Sequence, residues 1–554
     1  MPSADSMSAP TLRPYQRDAV DAVLAARRSG VRRMVVCLPT GAGKTVIFSH
    51  LARLARRTVL VLAHREELLA QARDKIERAM QGQAIVAVEQ AEQRAPEGAK
   101  VLVCSIRSLH DGRLSRVLRG RDPGLIIYDE CHHAAAEDNL RVLRRLGAFE
   151  PSFTGTLLGF TATTARGDGK GLDTVFEQIV YARALPEMID DGYLVPLRGF
   201  RIATTADLSR LSRGGLDFRE EELSSAVDIE ERNALVARSI QELGRDRRTI
   251  AFCVTVSHAR NLSKALNHLR VPAGVVHGTM SKEARAKALS DFREGRTQVL
   301  TNVGVLTEGF DDPGVSCIAM VRPTRSESLY AQCVGRGTRL HQAKKDCLIL
   351  DFVDLGALDL CTLPSLFGMP RDLDLLGGDA ALARRAFLNL TFDYPGFEVE
   401  AGAITLHEIQ NRAEHFDPLT LRVDDEVRAI SGNAWESLGR PGLLLHFERT
   451  PGRLAEVLVL IKGARGKKWE VSMNGKAVDR FATLEQAVQA VDYEITKFGR
   501  AAEASALAAA PWRRAPPPKG TVEARPGGKP GRPIQTMAEA LRLVVWRRIV
   551  APGA

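Results

Sequence analysis

The chain has 554 residues, 45% apolar and 26% charged, with a net charge of +10 and a pI near 9.3. These values suit a globular protein of two to four domains. No apolar run approaches the ~20 residues of a membrane span, and the first ten residues lack a secretory pattern. The eight cysteines are scattered without a Cys-x-x-Cys pair. That argues against a disulfide framework and for a reducing, cytoplasmic setting. The positive charge is uneven: residues 501–554 carry nine Arg/Lys against three Asp/Glu, leaving only +4 for the first 500. Charge alone therefore does not make the main body a nucleic-acid binder.

In chain order, 33–38 reads as a strand and 44–57 as a helix with Ile47, Leu51 and Leu54 on one face. Strands follow at 58–63, 101–106, 125–128 and 157–161, with a helix over about 66–80. Near-continuous apolar strands between helices imply a parallel sheet covered on both faces. The pattern restarts with strands at 249–254, 273–277, 298–306, 316–321 and 346–352, and with helices at 258–269 and 282–294. Two α/β domains are expected, over 10–200 and 235–355. A linker over 201–234, charged from Asp207 to Arg232, joins them. Residues 356–450 are uninformative. Strands at 454–462, 468–473 and 476–481 with a helix at 484–498 predict a small α+β module over 451–500. The Pro/Gly/Ala-rich basic tail, 501–554, is expected to lack fixed structure to about 533.

Pro39-Thr40-Gly41-Ala42-Gly43-Lys44-Thr45 lies between a predicted strand and a predicted helix, the setting of a phosphate-binding loop. Gly41 and Gly43 let backbone N–H groups face phosphate oxygens, and the helix N-terminus adds positive potential. Lys44 would reach the β- and γ-phosphates of ATP, and the Thr45 hydroxyl would hold Mg²⁺. The usual leading glycine is Leu38 here.

Ile126-Ile127-Tyr128-Asp129-Glu130 supplies the second half of such a site. Asp129 would bind Mg²⁺, and Glu130 would orient and deprotonate the attacking water. Adjacent strand residues point to opposite faces, so these two roles require the chain to leave the strand here. A zinc reading of Cys131, His132 and His133 is disfavoured, because three adjacent residues converge poorly on one tetrahedral ion.

Together these motifs resemble a superfamily 2 helicase of the DEAD/DEAH-box class, the box reading Asp129-Glu130-Cys131-His132. The resemblance covers about 10–355 and implies two tandem RecA-like P-loop domains. Leu12-Arg13-Pro14-Tyr15-Gln16 resembles the adenine-recognition segment, which assigns Arg13 and Gln16 to the nucleotide. Ala63-His64-Arg65-Glu66-Glu67-Leu68 resembles motif Ia, a nucleic-acid backbone contact. Thr161-Ala162-Thr163 resembles motif III, which makes Thr161 and Thr163 coupling residues. Residues 301–311 resemble motif V, placing Gly309 and Asp311 at the nucleotide. Residues 332–339 resemble motif VI, which adds Gln332 to the catalytic set and sends Arg336 and Arg339 across the domain cleft to the γ-phosphate. Three apart on a predicted helix, those arginines would share a face, and guanidinium charge suits a transferring phosphoryl group.

The run 159–172 is similar to type III restriction motor subunits and excision-repair helicases, with Thr164 in place of a common proline. That branch implies DNA as the partner, with RNA as the alternative. A nucleotide-gated DNA clamp, recruiting proteins through 356–554, is the reading from another class. Polar residues at strand ends, Arg65, Ser105, His277 and Thr301, are candidate phosphate-backbone contacts. Trp435, Trp469 and Trp512 read better as packing than as base-stacking residues. Glu470 with Lys476 has poor spacing for a nuclease, and none is expected.

Overall fold

The computed structural model describes residues 11–550 except 65, 92, 110, 163–171, 210, 212, 215–216, 308, 357–358, 395–396, 398, 400–403, 415, 440–441, 463–467 and 518–533. The chain forms two compact units, residues 1–384 and 385–554.

The first unit holds two parallel sheets. In the first lobe the strands are β1 (Arg33–Cys37), β2 (Thr58–Ala63), β3 (Val86–Glu89), β4 (Val101–Ser105), β5 (Pro123–Asp129), β6 (Thr156–Thr161) and β7 (Gln178–Ala182). Their order is β3-β4-β2-β5-β6-β1-β7 and every pairing is parallel. Helices α1 (Pro14–Arg28), α2 (Lys44–Leu54) and α3 (Glu66–Met80) are among those that cover it. The central strands are buried on both faces, as their unbroken apolar runs require. Because β6 lies between β1 and β5, the residues following these three strands meet at one sheet edge, where open parallel sheets bind ligands.

The second lobe has β8 (Leu197–Asp207), a two-residue ladder of β9 (Arg213–Gly214) with β10 (Asp217–Phe218), and then β11 (Thr249–Phe252), β12 (Ala273–His277), β13 (Val299–Val303), β14 (Cys317–Met320) and β15 (Cys347–Leu355). Its sheet runs β12-β13-β11-β14-β15-β8, all parallel. Two parallel α/β lobes are the expected architecture.

The stretch expected as a linker belongs instead to the second lobe. Strand β8 forms the sheet edge, paired with β15 from Leu197 opposite Cys347. The helices Glu220–Val227 and Glu230–Leu243 follow. Glu220, Glu221 and Glu222 occupy the first turn of the former, where the helix dipole favours them. Arg232 is wholly buried, pairing with Asp354 at 2.7 and 2.9 Å and donating to Val321 O at 3.1 Å. Within 356–384, Leu363, Phe367 and Leu373 are buried, and the Leu363 N–H donates to Asp351 Oδ2 at 2.8 Å.

The second unit is built on an antiparallel sheet of β16 (Glu436–Ser437), β17 (Gly442–Thr450), β18 (Arg453–Lys462), β19 (Lys468–Met473) and β20 (Lys476–Phe481), ordered in sequence. The helices Leu484–Thr496 and Arg500–Ala506 bury Val488, Val491 and Ala502 with Val457 and Val459. Leu444 and Leu458 pack instead with Val545 and Trp546 of the terminal helix Met537–Val550. Within the stretch expected to lack fixed structure, Arg500–Ala506 and Pro511–Arg514 are helical, and 518–533 lie outside the described residues; beyond it Met537–Val550 forms a further helix. Its arginines do structural work: Arg542 donates to the main-chain oxygens of Leu419, Leu421 and Ser437. Trp435 and Trp512 donate their indole N–H to Ser431 Oγ and Ser505 O, and Trp469 packs against the core. Among the described residues no helix is long and apolar enough to cross a membrane.

Candidate active site

The phosphate loop leaves β1 after Cys37. Leu38, standing where glycine is usual, is buried, and its N–H donates to Thr161 O at 2.9 Å. It prolongs the strand by one residue, a place that needs no glycine. Gly41 (φ 92°) and Gly43 (φ 74°) then take left-handed conformations, which side chains resist. A Cβ on Gly43 would also lie 2.8 Å from Gln16 Nε2. Tyr15 and Gln16 brace the loop from α1: the Tyr15 hydroxyl donates to Ala42 O at 2.7 Å, and Gln16 Nε2 to the same oxygen at 3.3 Å. The Arg13 N–H donates to Gln16 Oε1 at 3.0 Å.

Across from the loop, β5 ends at Asp129. Glu130 turns left-handed (φ 53°, ψ 53°) into a short 3-10 helix, Cys131–His133. This is the departure from the strand that two separate carboxylate roles require. Lys44 Nζ lies 3.4 Å from Glu130 Oε1, with both side chains nearly buried. Burial raises the Glu130 pKa, but Lys44, His132 and Arg336 outweigh it and hold the carboxyl well below the usual carboxylate range. It is a charged acceptor at neutral pH. His132 Nδ1 is 3.4 Å from Glu130 Oε2 and shares a hydrogen bond with Thr161 Oγ1 at 3.3 Å. The box is thereby tied to the end of β6, where Thr161 is fully buried. Cys131 is engaged differently. It is buried with its sulfur against Gly159, where a Cβ would approach to 2.7 Å.

The second lobe supplies the other wall of the cleft. The helix Glu327–Val334 ends at Gly335, so Arg336 and Arg339 follow the helix rather than share its face. This corrects the helical expectation. The cause is close packing: a Cβ on Gly335 would lie 2.3 Å from Thr40 Cβ, and one on Gly337 would lie 2.2 Å from Cys347 Sγ. The turn nevertheless brings both arginines to the cleft, together with Gly41, Gly43, Lys44, Thr45, Asp129, Glu130, Gly309 and Asp311. Arg336 Nη1 donates to Phe310 O at 2.8 Å, and Arg339 Nε is 3.1 Å from Asp311 Oδ1. Thr338 Oγ1 donates to Thr40 O at 3.1 Å. Gln332 is buried on the helix, one turn before Arg336. Gln332, Arg13 and Gln16 stand beside the cleft-lining residues rather than among them.

Sequence reasoning missed Gln71 and Lys75 of α3, which line the same cleft together with Leu68, a residue read there only as part of motif Ia. Gln71 Nε2 donates to Gly309 O, and Lys75 Nζ is 3.6 Å from Asp311 Oδ2. Their three- and four-residue spacing marks one helix face, but nothing local says what that face meets.

The Thr45 hydroxyl and the Asp129 carboxylate form an all-oxygen donor pair in the cleft, which suits a hard cation such as Mg²⁺. Glu130, with Oε2 facing His132 Nδ1 at 3.4 Å, is a charged acceptor beside them.

Of the candidate nucleic-acid contacts, Ser105 ends β4 and His277 ends β12. His277 Nδ1 shares a 2.8 Å hydrogen bond with Thr279 Oγ1. Thr301 does not fit its expected role. It is fully buried, its hydroxyl within 2.9 Å of Ala259 O and 3.1 Å of Gly274 O, so it presents nothing to a strand. Arg65 and Thr163 lie outside the described residues.

Residues 9–166 match the model of the type III restriction enzyme res subunit, and residues 231–341 that of the helicase conserved C-terminal domain. A mitochondrial ATP-dependent helicase of Schizosaccharomyces pombe, irc3, is 32% identical over 445 residues, which cover 79% of this chain and 72% of that protein. This chain belongs to that family of ATP-dependent superfamily 2 helicases. A Saccharomyces cerevisiae relative named as an ATP-dependent helicase, IRC3, is 34% identical over 383 residues; the match covers 66% of this helicase and 55% of the relative. The DNA 3′-5′ translocase XPB2 of Sulfurisphaera tokodaii is 24% identical over 402 residues, covering 63% of this helicase and 82% of that protein.

Proposed function

We propose that this helicase is an ATP-driven DNA motor whose hydrolytic site is the cleft between the two lobes of its first unit. The observation that carries the reading is the convergence of Lys44, Glu130 and Arg336, from three separate segments, on one cleft. Lys44 and the backbone of Gly41–Lys44 bind the phosphates. Thr45 and Asp129 would hold Mg²⁺, which would supply charge neutralisation at the phosphate oxygens. Glu130, an ionised acceptor, orients the attacking water and takes its proton. Arg336 and Arg339 face the γ-phosphate from the second lobe and stabilise the charge spread over it in the transition state. Arg13 and Gln16 hold the nucleotide end of the loop, and Gln332 supports the arginine turn.

Hydrolysis then depends on how closely the lobes approach, and a strand gripped by both lobes moves as they close and reopen. Thr161, bonded to the His132 that contacts Glu130, carries the nucleotide state toward that strand. Ser105 and His277 contact its phosphates. DNA is the substrate favoured by the translocase relative, and the buried cysteines suit a reducing, cytoplasmic setting.

A triplex-displacement assay on duplex DNA and a forked-duplex unwinding assay test this reading. ATP-dependent displacement by the wild type that disappears in Glu130→Gln supports a motor. ATP-dependent binding to DNA with neither displacement nor unwinding would replace it with a clamp.

A further inference from the structure

Lys344 lies just before β15, and its side chain is buried. Its ammonium donates to two main-chain oxygens, Val315 O and Gly337 O, each at 2.8 Å. Gly337 sits within the turn that carries Arg336 and Arg339. Val315 belongs to the segment 310–315, which begins at the end of motif V and also supplies Phe310 O to Arg336 and the Asp311 carboxylate to Arg339. Three ties therefore join the same two stretches, 310–315 and 336–344, and Lys344 makes the one that involves neither arginine.

Burying an ammonium is unfavourable unless its protons are met. Burial draws this one down to about 8, with Arg339 and Arg248 acting in the same direction and Cys347 and Asp312 opposing. A charge kept in such a place is explained by what it ties together. The turn has little slack besides: Thr338 O accepts from the Val195 N–H at 2.9 Å, and Gly337 packs against Cys347.

We propose that Lys344 is a positioning residue for ATP hydrolysis, clamping the Arg336–Arg339 turn to the 310–315 segment so that both guanidiniums stand where the phosphate loop needs them. The proposal rests on the reading of those arginines as the γ-phosphate contacts. Lys344 itself touches no reacting atom.

The test is a double-mutant cycle on steady-state ATP hydrolysis, with nucleotide binding and thermal melting measured alongside. Lys344→Met is expected to lower kcat about tenfold or more while leaving the KM for ATP within about twofold. In an Arg339→Ala background the same substitution should cost less than about twofold more. If Lys344→Met melts below the assay temperature, Lys344→Arg takes its place in the cycle, with the same non-additivity expected. Equal losses in both backgrounds, or an unchanged kcat in Lys344→Met, would overturn the role of Lys344 alone. An Arg339→Ala enzyme with wild-type kcat would remove the arginine reading, and this inference with it.

Discussion

The hydroxyl of Thr338 donates to the main-chain oxygen of Thr40 at 3.1 Å, so the arginine turn of the second lobe rests directly on the phosphate loop of the first. Next to that bond Gly335 meets Thr40 with no room for a Cβ, which would lie 2.3 Å from the threonine Cβ. Gly335→Ala should therefore push the turn off the loop. We expect kcat to fall about tenfold or more, because a displacement of ~1 Å at a catalytic constellation costs on the order of 10²-fold. Gly335 has an ordinary right-handed conformation, so the melting temperature should change little. Steady-state kinetics and a thermal melt check both parts; unchanged kcat would mean that this contact is not the one in which hydrolysis occurs.

Lys44 and Glu130 form one electrostatic unit, 3.4 Å apart and nearly buried. Lys44→Ala should abolish turnover and weaken nucleotide binding. Glu130→Gln keeps the shape but removes the proton acceptor. It should lose turnover by about 10²-fold or more while still binding ATP, as read by a fluorescent nucleotide. Normal hydrolysis by Glu130→Gln would show that another group activates the water.

Cys131 is buried against Gly159 rather than arranged with its histidine neighbours as a metal ligand. Cys131→Ser should leave turnover nearly unchanged. A hydroxyl buried without a partner costs about 1–3 kcal/mol, so a lower melting temperature is the expected effect. A zinc-dependent loss of fold in this variant would revive the metal reading.

His446 is buried in the second unit, and burial, aided by Arg513 and Arg548, lowers its pKa from 6.5 to about 4. Its neutral form is the folded one. Folded stability is full above about pH 6.5 and falls as the pH drops from there towards 4, an effect on the order of 3 kcal/mol. In the first unit His258 shifts in the same direction, chiefly by burial. Urea unfolding at pH 7.5, 6 and 4.5 should show progressive acid destabilisation, and His446→Asn should flatten the slope. Identical pH slopes in wild type and variant would refute the assignment.

The phosphate loop and the Asp129-Glu130 pair were legible because their chemistry demands particular residues at short spacing. The strands β1, β2, β4, β5 and β6 were legible too, because they are continuous apolar runs, whereas the short edge strand β3 was not read. Strand β8 was hidden because an edge strand is only partly buried, and Leu197–Asp207 shows neither an unbroken apolar run nor a strict alternation. Arg336 and Arg339 were correctly brought to the cleft but wrongly kept on a helix. The packing of Gly335 on Thr40 and of Gly337 on Cys347 depends on residues distant in the chain. Thr301 sits at a position typical of a strand contact, yet its hydroxyl satisfies Ala259 and Gly274 oxygens. The terminal helix was masked by basic composition. Its Arg542 spends its charge on carbonyl oxygens while Leu543, Val545 and Trp546 are buried.

The central claim, a nucleic-acid-driven ATPase that works on DNA, is tested most directly by steady-state ATP hydrolysis. The four conditions are no nucleic acid, single-stranded DNA, duplex DNA and RNA, all at one fixed moderate salt because phosphate contacts depend steeply on it. Strong stimulation by DNA and little by RNA is the predicted result. Basal turnover that no nucleic acid accelerates would contradict the motor, and stimulation by RNA alone would contradict the choice of DNA.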